Sequence, residues 1–360
     1  MTSFLRELRV GITSFARNKS SKAKKVRSYN QKNEMKELEN LIRSSIVEDF
    51  TKSDFCYRDN ILNLFGSPSK FFRPNLLLQL SFVLNADESN KSYPMLVDLS
   101  FVSPKQLMIA KFSEMVHVAS LIHDDVIDSA KTRRCRPTIN SQLGDRAAIL
   151  SGDYIISKAT FLISELDDAV LTDILSQVIQ DLVLGEIKQF KDIPSVLAYN
   201  DIIKNKTASL LALTCKSVIY SHKVISHAVN APKDVLDNMH RFGECVGLSF
   251  QIIDDCMDFS GDKKMGKPKF NDLKNGLVTL PVIYAAEQFP EINALIERKF
   301  NDQDDIENIR RLVFESHAID RCKQLSKELI SEAIDIVKNY SNKYAQILID
   351  YILMLHERNS

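Results

Sequence analysis

Val118-Ala119-Ser120-Leu121-Ile122-His123-Asp124-Asp125-Val126-Ile127-Asp128 places three carboxylates at the end of an apolar run whose spacing is helical rather than alternating. The first and third aspartates are four residues apart, so a helix stacks them on one face, with the second beside them on the next ridge. The stretch Leu248-Ser249-Phe250-Gln251-Ile252-Ile253-Asp254-Asp255-Cys256-Met257-Asp258 repeats the arrangement. Like charges this close raise one another's pKa unless hard divalent cations with oxygen ligands occupy the patch. Magnesium bridging to a phosphorylated ligand is the usual use of such a patch. The alternative is that both boxes merely end buried helix segments. Asp167-Asp168 and Asp304-Asp305 lack the third aspartate and read as surface.

Outward from the boxes, apolar residues recur at three and four positions near 36–50, 105–130, 145–164, 168–190, 199–227, 232–260, 278–288 and 304–355. Strand-like alternation is nowhere sustained, so the expected fold class is all-α. Turn-rich breaks fall at Gly66-Ser67-Pro68-Ser69, across Asn85 to Pro94 and across Ser260 to Asn275, and none reads as a domain linker. No run of eighteen apolar residues occurs, and ten glycines and ten prolines are too few for a disordered chain. The six cysteines are scattered without zinc-ligand spacing and read as reduced thiols.

The zero net charge hides two unlike parts. Residues 1–29 hold eight Lys/Arg against the single acid Glu7, leaving 39 basic and 46 acidic residues beyond. An acidic body argues against nucleic acid as a partner. The leader itself carries five serines and sets Phe4, Leu8, Ile12 and Phe15 along one helical face, which is transit-peptide composition. The reading is a mitochondrial transit peptide over 1–29 and a single domain over 30–360; the alternative is a basic tail on a cytoplasmic protein.

Metal-binding carboxylates call for a negatively charged ligand, and cations stand in company with them. These are Lys70 and Arg73 before Pro74, Arg133 and Arg134 one helical turn after the first box, Lys206-Thr207, and Lys267. Arginine suits bidentate phosphate contacts, whereas lysine serves as a point charge.

With these residues the sequence resembles the trans-isoprenyl diphosphate synthases, and more closely the long-chain polyprenyl type that makes quinone side chains. The likeness runs over roughly residues 66–290. It is carried by Lys70-Phe71-Phe72-Arg73-Pro74, Glu114-Met115-Val116-His117 through Asp128 with Arg133-Arg134, and Leu150-Ser151-Gly152-Asp153-Tyr154. Gly185-Glu186, Lys206-Thr207-Ala208, the second box, Gly266-Lys267-Pro268 to Asp272-Leu273-Lys274, and Thr279-Leu280-Pro281 complete it. Ser69, Cys135 and Leu277 depart from the family's usual glycine, glycine and lysine, without touching a metal ligand.

The resemblance implies an isoprenoid-synthase-type helical bundle around a deep central cavity. By similarity Lys70, Arg73, His117 and Arg134 hold isopentenyl diphosphate. Asp124, Asp128 and Asp254 ligate magnesium, three ions by the family's pattern, which bridge the allylic prenyl diphosphate. Arg133, Lys206, Thr207, Gln251 and Lys267 hold that diphosphate, and Asp125, Asp255 and Asp258 complete the catalytic boxes. His123, beside the first box, is left as a residue that either supports the box's ligands from behind or packs. Implied partners are the two substrates, a second copy or a related subunit, and peripheral membrane contact for product release.

One turn before Asp124, short-chain members place aromatic side chains that floor the cavity. Here Ala119 and Ser120 stand there, with Phe112 two turns further back as a deeper floor. The expected product is a long-chain all-trans polyprenyl diphosphate for ubiquinone. Alternatives are a geranylgeranyl diphosphate synthase, a regulatory partner subunit and a terpene cyclase. Partner subunits usually lose box aspartates, while all six remain here.

Overall fold

The computed structural model describes residues 31–66, 71–86, 102–133, 136–191, 195–222, 233–260, 270–300 and 302–359. The leader over 1–29, the turn at 67–69, Lys70, Arg134 and Lys267 lie outside the described residues.

The architecture is helical. In chain order it runs α1 Gln31–Thr51, α2 Arg58–Gly66, α3 Phe72–Asn85, α4 Pro104–Ile127, a short hairpin of β1 Thr132–Arg133 and β2 Arg136–Pro137, α5 Ile139–Leu143 and α6 Asp145–Ser164. Then come α7 Ala169–Lys191, α8 Val196–Ile203, a π-helical turn Lys204–Ala208, α9 Ser209–Tyr220 and α10 Lys233–Ser260. The chain closes with α11 Asn271–Lys274, α12 Leu280–Gln288, α13 Glu291–Glu297, α14 Gln303–Glu315, α15 Ala318–Lys338 and α16 Lys343–Asn359.

The first box rides on α4, whose start is strongly specified. Ser103 accepts from the Gln106 amide while the Gln106 side chain accepts from the Ser103 amide, and Pro104 occupies the first helical position. Most of α4 before residue 117 is buried, packed against α3, α6 and α9. The helix stops at Asp128, and Ser129 takes a left-handed φ of 52°. Arg133 therefore lies not one helical turn beyond the box but on β1 of an antiparallel pair, Thr132 opposite Pro137 and Arg133 opposite Arg136. The expectation of continued helix fails because the Ala130 amide folds back to the Asp125 carbonyl at 2.9 Å.

Two core clusters fill the bundle. One gathers α1 to α4, α6, α7, α9 and α16, the other α8 and α11 to α14. The helices α10 and α15 run through both: Phe242 and Val246 of α10 lie in the first cluster, Ile252, Cys256 and Phe259 in the second. That arrangement fixes the second box, at the C-terminal end of α10, against the rest of the molecule.

The stretch 304–355, read as continuous periodicity, is three helices. His317 breaks it with a φ of 56°, and Asn342 ends the next turn, its side chain accepting from the Tyr344 and Ala345 amides at 3.1 Å each. Neither break contains glycine or proline, so periodicity alone ran through both. Asp305, expected at the surface, is buried at 1% exposure, where it closes the capping box of α14 and takes the Arg298 guanidinium.

Candidate active site

In each aspartate box the middle carboxylate is turned into the protein and the outer two stay on the half-open face. Asp125 is 7% exposed and Asp255 3%. Asp125 Oδ1 accepts from Arg133 Nε at 2.7 Å, which orients the guanidinium against the end of the box. Asp255 accepts twice, from Tyr199 Oη at 2.6 Å and from Gln251 Nε2 at 2.7 Å. Asp124, Asp254 and Asp258 remain half-buried, with Asp128 exposed where α4 ends.

Electrostatically the first box is under strain that a cation would relieve. Burial pushes the Asp124 carboxyl up to about 6; Glu186 and Asp128 add to the rise, while Lys206 and Arg133 oppose it. Asp128 is raised by burial and by Glu186, again opposed by Lys206 and Arg133. Burial also raises Asp125, with Arg133 pulling it back. For Lys206 burial works downward, but Asp124, Glu186 and Asp128 outweigh it and hold the ammonium above its ordinary value. In the second box burial lifts Asp255 well above the carboxylate range, helped by Asp272 and resisted by the Tyr199 and Gln251 hydrogen bonds.

The turn Lys204–Ala208 joins the two boxes. Lys206 Nζ stands 2.5 Å from Glu186 Oε2 and donates to Gln189 Oε1 at 2.9 Å, both on α7, beside Asp124 and Asp128. Its neighbour Thr207 donates to Gln251 Oε1 at 2.8 Å, one turn before the second box on α10. A π turn inserts one residue and re-aims the side chains it carries. Two glycines make room for it: a Cβ on Gly185 would lie 2.5 Å from the Lys206 amide nitrogen, and one on Gly247 2.6 Å from Ala208 Cα. Behind the turn, Lys204 pairs with the buried Glu244 at 2.9 Å, and Arg241 holds Glu244 from the other side at 2.6 Å.

The remaining sequence candidates are distributed as follows. Arg73 is half-buried in the first turn of α3, two residues after Phe71, whose φ of 47° and cover by the Arg43 guanidinium at 4.1 Å set the helix entry. His117 is half-buried on α4, and its carbonyl accepts from Ser120 Oγ at 2.9 Å. Asp258 accepts the Asp272 amide at 3.3 Å, tying the box to the start of α11. His123 packs its ring against Gly152 of α6, with Nε2 3.3 Å from the Ile149 carbonyl and 3.4 Å from Asp153. Ala119 is 0% exposed inside the first core cluster, whereas Ser120 stays half-buried. The pair therefore does not line one surface equally. Sequence reasoning met Glu186 only within the Gly185-Glu186 motif and gave no role to it, to Gln189 or to Tyr199; the spacing Gly185-Glu186-Ile187-Lys188-Gln189, which puts Glu186 and Gln189 on one helix face, could have pointed to the first two.

All donors here are hard oxygens, which fits magnesium. Among the described residues no three acidic, histidine or cysteine side chains converge into a ready-made ion site.

Comparison with known proteins follows the same lines. The human all trans-polyprenyl-diphosphate synthase (Homo sapiens) is 36% identical over 276 residues, covering 75% of this chain and 63% of the human protein. The probable hexaprenyl pyrophosphate synthase, mitochondrial, of Yarrowia lipolytica is 37% identical over 260 residues, covering 68% of this chain and 55% of that protein. The chain thus spans less than two thirds of these relatives' own length. The crystal structure of heptaprenyl diphosphate synthase from Staphylococcus aureus superposes with a TM-score of 0.78 at 27% identity, covering 93% of this chain and 100% of that one. The sequence profile of the polyprenyl synthetase family matches residues 56–313, a span that takes in both boxes and the turn between them, and the chain belongs to that family.

Proposed function

We propose that the chain is a magnesium-dependent prenyltransferase that condenses isopentenyl diphosphate with an allylic prenyl diphosphate, making a long-chain all-trans polyprenyl diphosphate for ubiquinone. The observation that carries this reading is the π turn, with Lys206 beside the first box and Thr207 bonded to Gln251 beside the second. A single diphosphate between the boxes would meet the Lys206 cation and the Thr207–Gln251 pair, both set by one segment. The names of the human, Yarrowia and Staphylococcus relatives, all trans-polyprenyl, hexaprenyl and heptaprenyl, support a product longer than twenty carbons.

In this mechanism Asp124, Asp128 and Asp254 would hold magnesium ions, with Asp258 completing the second box, and bound magnesium would supply positive charge to stabilise the departing diphosphate. Lys206 and Arg133 add fixed positive charge to the same group, and Gln251 and Thr207 orient it. By the family resemblance Lys267 also binds that diphosphate. Lys70, Arg73, His117 and Arg134 hold the isopentenyl diphosphate, so that its double bond meets the allylic carbon as the carbon–oxygen bond breaks. The proton lost afterwards goes to the departing diphosphate, and no side-chain nucleophile is needed.

The leader composition and the mitochondrial designation of the Yarrowia relative support residues 1–29 as a transit peptide and a place on the matrix side of the mitochondrion. The passage of α10 and α15 through both core clusters supports residues 30–360 as one domain. Assembly into a homodimer, or a hetero-oligomer with a related subunit, is supported by unusually exposed apolar side chains: Phe161 on α6, Val183 and Phe190 on α7 and Leu197 on α8. The helix α6 is long and apolar enough to cross a membrane, but 44% of its apolar window is buried against the bundle, which favours a packed subunit face.

The test is elongation of farnesyl diphosphate with radiolabelled isopentenyl diphosphate and magnesium, followed by chromatography. The expected product exceeds twenty carbons. A twenty-carbon product would reassign the chain as a geranylgeranyl diphosphate synthase, and activity only with an added related subunit would make it a heteromer component.

A further inference from the structure

Tyr199 is a buried polar group that the mechanism leaves without a task. It lies on α8, 5% exposed, in the second core cluster beside Ile203, Ile252, Cys256 and Phe259. A buried phenol needs a partner, and this one donates to Asp255 Oδ2 at 2.6 Å. The other carboxylate oxygen is taken by Gln251 Nε2 at 2.7 Å, and Gln251 Oε1 in turn accepts from Thr207 at 2.8 Å. Tyr199 and Thr207 belong to one continuous segment, because α8 passes into the π turn with helical backbone angles at Ile203 and Lys204. The segment is thus fastened to α10 at two points: three side-chain hydrogen bonds link Tyr199, Asp255, Gln251 and Thr207 in a chain, and the backbone from Tyr199 to Thr207 completes the ring. Asp254 and Asp258 flank Asp255 on the same helix, and Lys206 precedes Thr207 in the turn.

We propose that Tyr199 is a positioning residue for the allylic diphosphate site, acting through Asp255 to set the second aspartate box and the Lys206 turn in register with each other. This rests on the function proposed above. The hydroxyl does not reach substrate; it fixes the carboxylate that fixes the helix face. Groups one shell out from metal ligands typically change metal affinity or activity about 10–100-fold when removed, and loss of this hydroxyl would also leave Asp255 Oδ2 buried without its donor. The isopentenyl diphosphate residues Arg73 and His117 sit on α3 and α4, outside the ring, so the effect belongs to one substrate only.

The experiment titrates inorganic pyrophosphate with magnesium into the full chain by calorimetry, at a temperature where circular dichroism shows every variant folded. Tyr199→Phe keeps the ring's packing and removes only the hydroxyl. It is expected to weaken magnesium pyrophosphate binding about 10-fold or more. The allylic KM and the magnesium requirement should rise while the isopentenyl diphosphate KM stays unchanged. Asp255→Asn approaches the same bond from its other end and should give the same pattern, with the double variant no worse than the worse single one. Equal binding by wild type and Tyr199→Phe would overturn the inference, as would losses that multiply in the double variant or an equal rise in both KM values. Failure of the wild-type chain to bind magnesium pyrophosphate would instead defeat the functional reading itself.

Discussion

Asp124 stores an electrostatic cost that the protein without ligand does not recover. Its carboxyl ordinarily titrates near 3.8 and is pushed up to about 6, chiefly by burial. A carboxylate with a raised folded pKa destabilises the fold as pH rises through that window, because the unfolded chain ionises first. Asp124→Asn is therefore expected to stabilise the ligand-free protein at pH 7 by about 1–3 kcal/mol, a gain that fades below about pH 4 where both states are protonated. Thermal unfolding across pH 3 to 8 measures this, and a loss of stability at pH 7 would contradict it. The same variant should abolish turnover. For product length, Ser120→Phe is expected to shorten the chain, while Ala119→Phe must displace core neighbours and costs about 1–3 kcal/mol by overpacking. Chromatography of the products separates the two; unchanged length from Ser120→Phe would remove that residue from the account. At this scale the sequence displayed all six aspartates, but not which carboxylate of each box turns inward. That depends on Arg133, eight residues on past the turn at Ser129, and on Tyr199, fifty-six residues away across the bundle.

At the scale of elements, the π turn Lys204–Ala208 is the part on which both boxes depend, and it is the part that periodicity could not show. Its sequence, Lys-Asn-Lys-Thr-Ala, contains no glycine or proline, and the helical pattern reads through it. What permits the turn sits on other helices: Gly185 and Gly247 let α7 and α10 approach its backbone. Gly185→Ala would set a methyl 2.5 Å from the Lys206 amide nitrogen, a contact only backbone movement can relieve. The expected outcome is a loss of about 1–3 kcal/mol in stability with a larger fall in kcat than in isopentenyl diphosphate affinity. A variant with wild-type kcat would show that the turn's placement is not limiting. The hairpin after the first box was hidden for a related reason, since two-residue strands are too short to display alternation. The long helices α4, α6 and α10, by contrast, were legible because each buries a broad apolar face and α4 carries a capping box.

For the whole molecule, helical class and the pairing of the boxes followed from pattern, whereas the joining of α10 and α15 to two cores is a tertiary property that no local window contains. The exposed apolar side chains on α6, α7 and α8 are the surface through which association is proposed. Phe190→Glu with Leu197→Glu should lower the sedimentation mass toward one chain at micromolar concentration; an unchanged mass would place the subunit contact elsewhere. The central claim is that the two boxes, bridged by Lys206 and Thr207, ionise an allylic diphosphate for repeated five-carbon addition. The most direct test is incubation of the purified chain with farnesyl diphosphate, labelled isopentenyl diphosphate and magnesium, with mass spectrometry of the products. A series spaced by five carbons and ending beyond twenty is expected, absent in Asp124→Asn; no elongation by the chain, alone or with a related subunit, would contradict the proposed function.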